Sequence, residues 1–267
     1  MPLCVCTIHA AIIGERRRRA AAEILGNAVL AYDIGMHNGD DTAYYRAKGF
    51  RVVSVEAMPD FATSARKRFD ADIKSGDVVI ENVGIADTSG ELSFYINPKN
   101  TVQSSFVAPT KPGWIEIKIP TTTLPEIVRR HGAPDFMKID IEHFDLHALK
   151  SLAEANIIPR YISSEAHSID ILLQLWAMGY RRFRLLNCRL VSKLFAEVEI
   201  KTLSGKHVRH AFPEHSSGPY GDDIRFMPWM GIEGAMALWL NRAHILGAGW
   251  YDVHAAMPGG GDDMYMG

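Results

Sequence analysis

Short apolar runs alternate with amphipathic stretches along most of the chain. Residues 27–34 (NAVLAYDI), 51–56 (RVVSVE) and 77–83 (DVVIENV) have the length and β-branched content of buried strands. Between them, Asp40, Asp41 and Thr42 open a helix that Gly49 closes, since acidic and hydroxyl side chains suit a helix N-terminus. A second helix, Asp60 to about Asp70, places Phe61, Ala65 and Phe69 on one face. The rhythm changes after the turn Asp87–Gly90. Residues 91–96 (ELSFYI) and 115–119 (IEIKI) alternate like half-exposed strands, and the polar, proline-containing stretch 97–114 between them reads as a loop. Thr123-Leu124-Pro125-Glu126 fits a capping box that starts a helix ending at Gly132. Strand and helix then alternate again: strand 135–141 (DFMKIDI), helix 144–155, strand 160–165 (RYISSE), a Ser168-capped helix with Ile169, Leu172, Leu173 and Trp176 on one face, and strand 180–186. Residues 196–203 and 206–212 form a hairpin around Ser204-Gly205. A polar segment, 213–223, precedes a helix at about 232–246, and the glycine-rich end from Pro258 frays. A first helix is expected at Glu15–Leu25.

Strands alternating with helices predict a doubly wound, mostly parallel α/β sheet. Ligands of such sheets bind at the carboxyl ends of the strands, near the switch in strand order. The residues that end these strands are Asp33, Glu56, Asn82, Asp140 with Glu142, and Glu165 with His167. Most are acidic, which points to a shared polar cleft. The 267 residues divide into an N-terminal extension with a helix (1–29), a catalytic domain (30–212) and a C-terminal loop and helix packing on that same domain (213–267).

Lys plus Arg number 29 against 31 Asp plus Glu, so nothing in the charge balance predicts a nucleic-acid partner. No apolar run approaches the ~18 residues that span a bilayer, so no membrane partner is expected. The apolar residues 1–13 precede the run Arg16–Arg19, the reverse of a secretory leader, and the run reads as a solvated helix face. Cys4, Cys6 and Cys188 make no disulfide framework, which fits a reducing, cytoplasmic setting. Cys4, Cys6 and His9 lack a second ligand pair and predict no zinc site.

The turn Asp33-Ile-Gly35-Met36-His37-Asn38-Gly39 lacks the middle glycine of the dinucleotide pattern G-x-G-x-x-G. Asp33, Asp40 and Asp41 would repel a pyrophosphate, and a cationic ligand without phosphate, such as S-adenosylmethionine, suits the turn better. Glu56, at the next strand end, is placed to accept two ribose hydroxyls, a contact common to nicotinamide and S-adenosylmethionine sites.

The stretch DIGMHNGDDTAYYRAKGFRVVSVEAMP resembles the cofactor segment of the FkbM-type methyltransferases, and PDFMKIDIEHFDLHALKSL resembles their second hallmark, K-I-D-x-E-G. The resemblance extends from about residue 30 to about 187. It implies a class I fold with a seven-stranded sheet and S-adenosylmethionine as cofactor. Asp33, Gly35 and Gly39 would hold its methionine portion, with Met36, Asn38 and Thr42 in the same turn. Glu56 with Ala57 would meet the ribose, and Asn82 with Val83 would border the adenine. It also implies O-methylation of a hydroxyl on a sugar, polyketide or other small metabolite. The family's glycine after D-x-E is His143 here, which bears on the acceptor and not the cofactor.

A hydroxyl acceptor needs a base within reach, and Asp140, Glu142, His143, Glu165 and His167 are the candidates. A divalent cation on Asp140, Glu142, Glu165 and His167 is the competing activator, but their spacing is not diagnostic and no metal is expected. Glu214–Asp223 reads as either an acceptor-recognising lid or a surface loop, and Gln103, Ser104 and Ser105 are further acceptor contacts. The competing functions are a nicotinamide-dependent oxidoreductase, which the missing glycine disfavours, and a non-catalytic binding protein that keeps the fold. Homo-oligomerisation is left open.

Overall fold

The computed structural model describes residues 29–224 and 227–258. The expected helix at Glu15–Leu25, the Arg16–Arg19 run, Cys4 and Cys6, and the end beyond Pro258 lie outside these residues. The main sheet contains β1 (Leu30–Ile34), β2 (Arg51–Val55), β3 (Val78–Glu81), β7 (Phe136–Ile139), β8 (Tyr161–Glu165), β9 (Arg182–Asn187) and β12 (Tyr251–Ala256). Its seven strands run in the order β3-β2-β1-β7-β8-β12-β9. β12 is antiparallel to both neighbours, while β1, β2, β3, β7 and β8 pair in parallel. The order turns back between β1 and β7, so the cleft expected at a switch point opens at Ile34 and Ile139.

The helices follow the predicted punctuation. Gly39 and Gly49, both left-handed, bracket α1 (Asp40–Lys48). The second predicted helix is α2 (Pro59–Arg68), and after Phe69 a short α3 (Asp70–Ser75) follows that the sequence reading did not include. Thr123 and Ser168 accept backbone N–H bonds at the starts of α4 (Leu124–His131) and α6 (Ile169–Ala177), as their hydroxyls predict. α5 (Asp145–Glu154) lies between them, and α7 (Val191–Leu194) follows β9. The helix expected at 232–246 breaks at Asn241 into α8 (Ile232–Leu240) and α9 (Arg242–Ile245). A small sheet of β4 (Gly84–Ile85), β6 (Ile115–Thr122) and β5 (Gly90–Ile96) stands beside the cleft, and β10 (Val198–Lys201) pairs with β11 (His207–His210) as the predicted hairpin.

Two findings depart from the sequence reading. The C-terminal segment carries β12, which fills the sheet between β8 and β9. Its sequence, YDVHAA, interrupts the apolar pattern with Asp252 and His254, although all six residues are buried. Residues 216–221 are also buried, so this part of the segment read as a lid or a surface loop is core instead. The Tyr220 ring stacks on Phe136 at 4.4 Å and 12° within an aromatic cluster on one sheet face. Asp41 anchors the segment, accepting from Ser216 Oγ at 2.5 Å and from Ser217 N at 3.1 Å. Lys48 and Asp223 pair at 2.5 Å in the same buried layer.

Candidate active site

The turn after β1 is shaped by close backbone approach. Gly35 has φ +83°, and a Cβ there would lie 1.8 Å from the Asp140 carbonyl oxygen. The glycine is therefore required for β1 and β7 to end side by side. At Gly39, also φ +83°, a Cβ would meet the Phe69 ring at 2.8 Å. Beneath the turn, the fully buried Asp33 accepts from Thr42 Oγ1 at 2.6 Å. Lys138 Nζ donates to Gly35 O at 2.9 Å and sits 3.5 Å from Asp33, 3.7 Å from Asp41 and 3.5 Å from Asp140. Burial opposes the Lys138 charge, but Asp140, Asp33 and Asp41 outweigh it and hold the pKa well above the ordinary lysine value.

A cavity of about 350 Å³ opens over this turn. Of the cofactor candidates, Gly35, Met36, Asn38, Glu56, Ala57 and Val83 line it. Asp33, Gly39, Thr42 and Asn82 do not line it and act from behind. Asn82 Nδ2 donates to the backbone carbonyls of Glu56 and Ala57, at 2.8 and 3.2 Å, and so sets the course of the loop after β2. Glu56 accepts from His37 N and Met58 N, each at 2.7 Å, and burial pushes its pKa up to about 7. Met58, Ile85, Phe94 and Phe106 give the cavity an apolar wall beside Glu56. Gln103 and Ser104 line it as well, while Ser105 holds the structure together by donating to Glu142 O at 3.0 Å.

At the other end stand Asp140, Glu142 and Glu165. His143 and His167 lie behind them with ring centroids 4.6 Å apart. Glu142 and His143 have φ +46° and +75°. The family's glycine thus coincides with a left-handed backbone that His143 adopts at a cost. The same kink turns Glu142 into the cavity. Burial, then the Asp140 and Glu165 charges, raise Glu142 to about 8. Burial and Asp140 likewise raise Asp145 to about 7 and Glu165 to about 10. His167 Nε2 is 2.9 Å from Glu165 Oε2 and 3.7 Å from Asp145 Oδ2.

Lys138, Asp145 and Trp250 belong to the site but were not singled out from the sequence, while His215 lies in the segment Glu214–Asp223 that the sequence offered as a lid or a surface loop. Lys138 left a signal, a charged residue inside the apolar strand FMKI. His215 and Trp250 reach the cavity with stacked rings 6.0 Å apart, and Trp250 comes from a segment with no readable period.

The residues fit S-adenosylmethionine. The cavity is within the size range of small-molecule sites, about 300–1,000 Å³. Asp40, Asp41 and Asp140 are among its lining residues, an apolar wall stands beside Glu56, and Lys138 of β7 is buried among carboxylates. Among the described residues, no helix is long and apolar enough to cross a membrane.

A sequence model of the methyltransferase FkbM domain matches residues 33–182, more than half of the chain. No curated protein matches the chain. Among solved structures, it is similar to a precorrin-6Y C5,15-methyltransferase from Geobacter metallireducens, with TM-score 0.39 and 11% identity over 86% of this chain and 81% of that one. The C-terminal domain of the Rhodobacter capsulatus precorrin-6Y C5,15-methyltransferase gives TM-score 0.39 and 14% identity over the same shares. An S-adenosylmethionine-dependent O-methyltransferase from Thermotoga maritima gives TM-score 0.37 and 9% identity, over 91% of this chain and 64% of that one.

Proposed function

The chain belongs to the FkbM methyltransferase family, its cofactor is S-adenosylmethionine, and we propose that it methylates a hydroxyl oxygen of a sugar, polyketide or other small metabolite. One observation carries this reading: a single cavity joins the turn Gly35–Asn38 and Glu56 to the carboxylates Asp140, Glu142 and Glu165. The bound cofactor supplies a sulfonium methyl group open to in-line displacement by an oxygen nucleophile. The rest of the reaction is position and proton traffic, and this chain's residues provide both.

Glu56 and the apolar wall orient the nucleoside end, with Asn82 fixing the loop that presents them. Lys138 holds the ends of β1 and β7 together through Gly35 O and its three carboxylate neighbours. Asp140, a third exposed and lining the cavity, is placed to accept the acceptor's hydroxyl proton on a carboxylate oxygen. Glu142 and Glu165 orient the acceptor beside it. The test is methyl transfer to a panel of hydroxylated metabolites, followed by mass spectrometry. Asp140→Asn is expected to keep cofactor binding and lose turnover by about 10²-fold or more. Full turnover in Asp140→Asn removes it as the base, and a product methylated on nitrogen or carbon refutes O-methylation.

A further inference from the structure

We propose that Glu142, Glu165 and His167 bind a first-row divalent metal ion, of which Mn²⁺ is the type, at the acceptor end of the cavity. One oxygen of each carboxylate and one imidazole nitrogen all lie within 4.8 Å of one another. The Glu165 Oε2 to His167 Nε2 distance, 2.9 Å, is already an octahedral edge, since bonds of about 2.1 Å give edges of about 3.0 Å. The fold explains the convergence. Glu165 and His167 stand two residues apart at the end of β8, and the left-handed backbone at Glu142 turns that carboxylate toward them from the end of β7.

A second observation, outside the trio, is a buried carboxylate oxygen without a hydrogen bond beside the site. Asp145 is 1% exposed, and its Oδ2 has no hydrogen-bond partner although it lies 3.7 Å from His167 Nε2. Its other oxygen is occupied by the Ile141 N–H at 3.3 Å. A buried carboxylate oxygen that meets the His167 imidazole without a hydrogen bond is costly while that imidazole is neutral, and a cation on the imidazole relieves it electrostatically. Lys138 does not serve, because it is held among Asp33, Asp41 and Asp140.

Two carboxylates and one neutral imidazole match the charge of a divalent ion. The imidazole favours a first-row metal over Ca²⁺ or Mg²⁺. Three protein ligands leave positions open toward the cavity, where the hydroxyl oxygen of the acceptor would coordinate and lose its proton more readily. That role rests on the methyltransferase reading above. Metal binding itself does not.

The test is a titration of the full chain with Mn²⁺, read by the loss of the free-ion electron paramagnetic resonance signal. Glu142→Gln, His167→Gln and the exposed control His147→Gln are run alongside. We expect one Mn²⁺ per chain in the wild type and the control, with affinity weakened tenfold or more in Glu142→Gln and His167→Gln. Absence of saturable Mn²⁺ binding in the wild type overturns the proposal, and so does equal binding in all four proteins. Calorimetric titration of the same samples with S-adenosylmethionine separates the two readings. Cofactor binding without Mn²⁺ binding refutes the metal site alone, and Mn²⁺ binding without cofactor binding refutes the functional reading alone.

Discussion

Gly35→Ala tests whether the cleft depends on the contact between β1 and β7. The new Cβ would sit 1.8 Å from the Asp140 carbonyl oxygen, a backbone atom that no side-chain rotation can move aside. Two costs add. Holding alanine in the left-handed region costs about 1–2 kcal/mol. Forcing the strand ends apart costs about 3 kcal/mol, the upper part of the overpacking range. Gly76 separates these costs, because it has the same φ of +83° and nothing within 4 Å of its would-be Cβ. Gly76→Ala therefore carries the backbone cost alone. For a chain of this size each kcal/mol moves the melting temperature by about 2–4 °C, so Gly35→Ala should melt roughly 6–12 °C below Gly76→Ala. Thermal unfolding followed by far-ultraviolet circular dichroism gives the difference. If the two variants melt within about 2 °C of each other, the close approach is not what requires glycine at position 35.

Asn82→Ala removes two hydrogen bonds that shape the loop after Glu56, and should weaken S-adenosylmethionine binding by up to roughly 30-fold in calorimetry, at about 1 kcal/mol per bond. Lys48→Met removes the cation paired with the buried Asp223, which keeps its bond from the Tyr44 hydroxyl, and should cost about 3–5 kcal/mol in urea denaturation, since breaking a buried pair leaves an uncompensated charge. His254 is fully buried, and burial with help from Arg184 depresses its pKa to about 3, so it folds neutral. The unfolded chain protonates it near pH 6.5. The stability tied to this group is therefore whole above pH 6.5 and is lost as pH falls toward 3, by at most about 1.4 kcal/mol per unit. Denaturation at pH 5 and 7 should show His254→Phe losing less stability on acidification than the wild type.

The sequence made the alternating βα framework legible because its strands are short apolar runs and its helices carry caps at Thr123 and Ser168 that the structure uses. β12 was not legible, because Asp252 and His254 are polar residues buried by neighbours remote in sequence. The same reason hid the burial of residues 216–221, where Ser216 and Ser217 bond to Asp41, Tyr220 N to the Tyr44 hydroxyl and Gly221 N to the Tyr161 hydroxyl, all far back in the chain. At the site, strand-end position identified Glu56, Asp140, Glu142 and Glu165, all of which line the cavity. It did not separate residues that face the cavity from those that act behind it, such as Asp33, Thr42 and Asn82. Nor did it reveal Asp145, which opens α5 as an ordinary acidic first-turn residue and becomes notable only when His167 is brought beside it.

The central claim is that the cavity over Gly35 and Glu56 is an S-adenosylmethionine site. Calorimetric titration of the full chain with S-adenosylmethionine, S-adenosylhomocysteine and NAD tests it most directly. The account predicts saturable one-site binding of both adenosyl compounds, competition between them, and no binding of NAD. Saturable NAD binding without S-adenosylmethionine binding would contradict it.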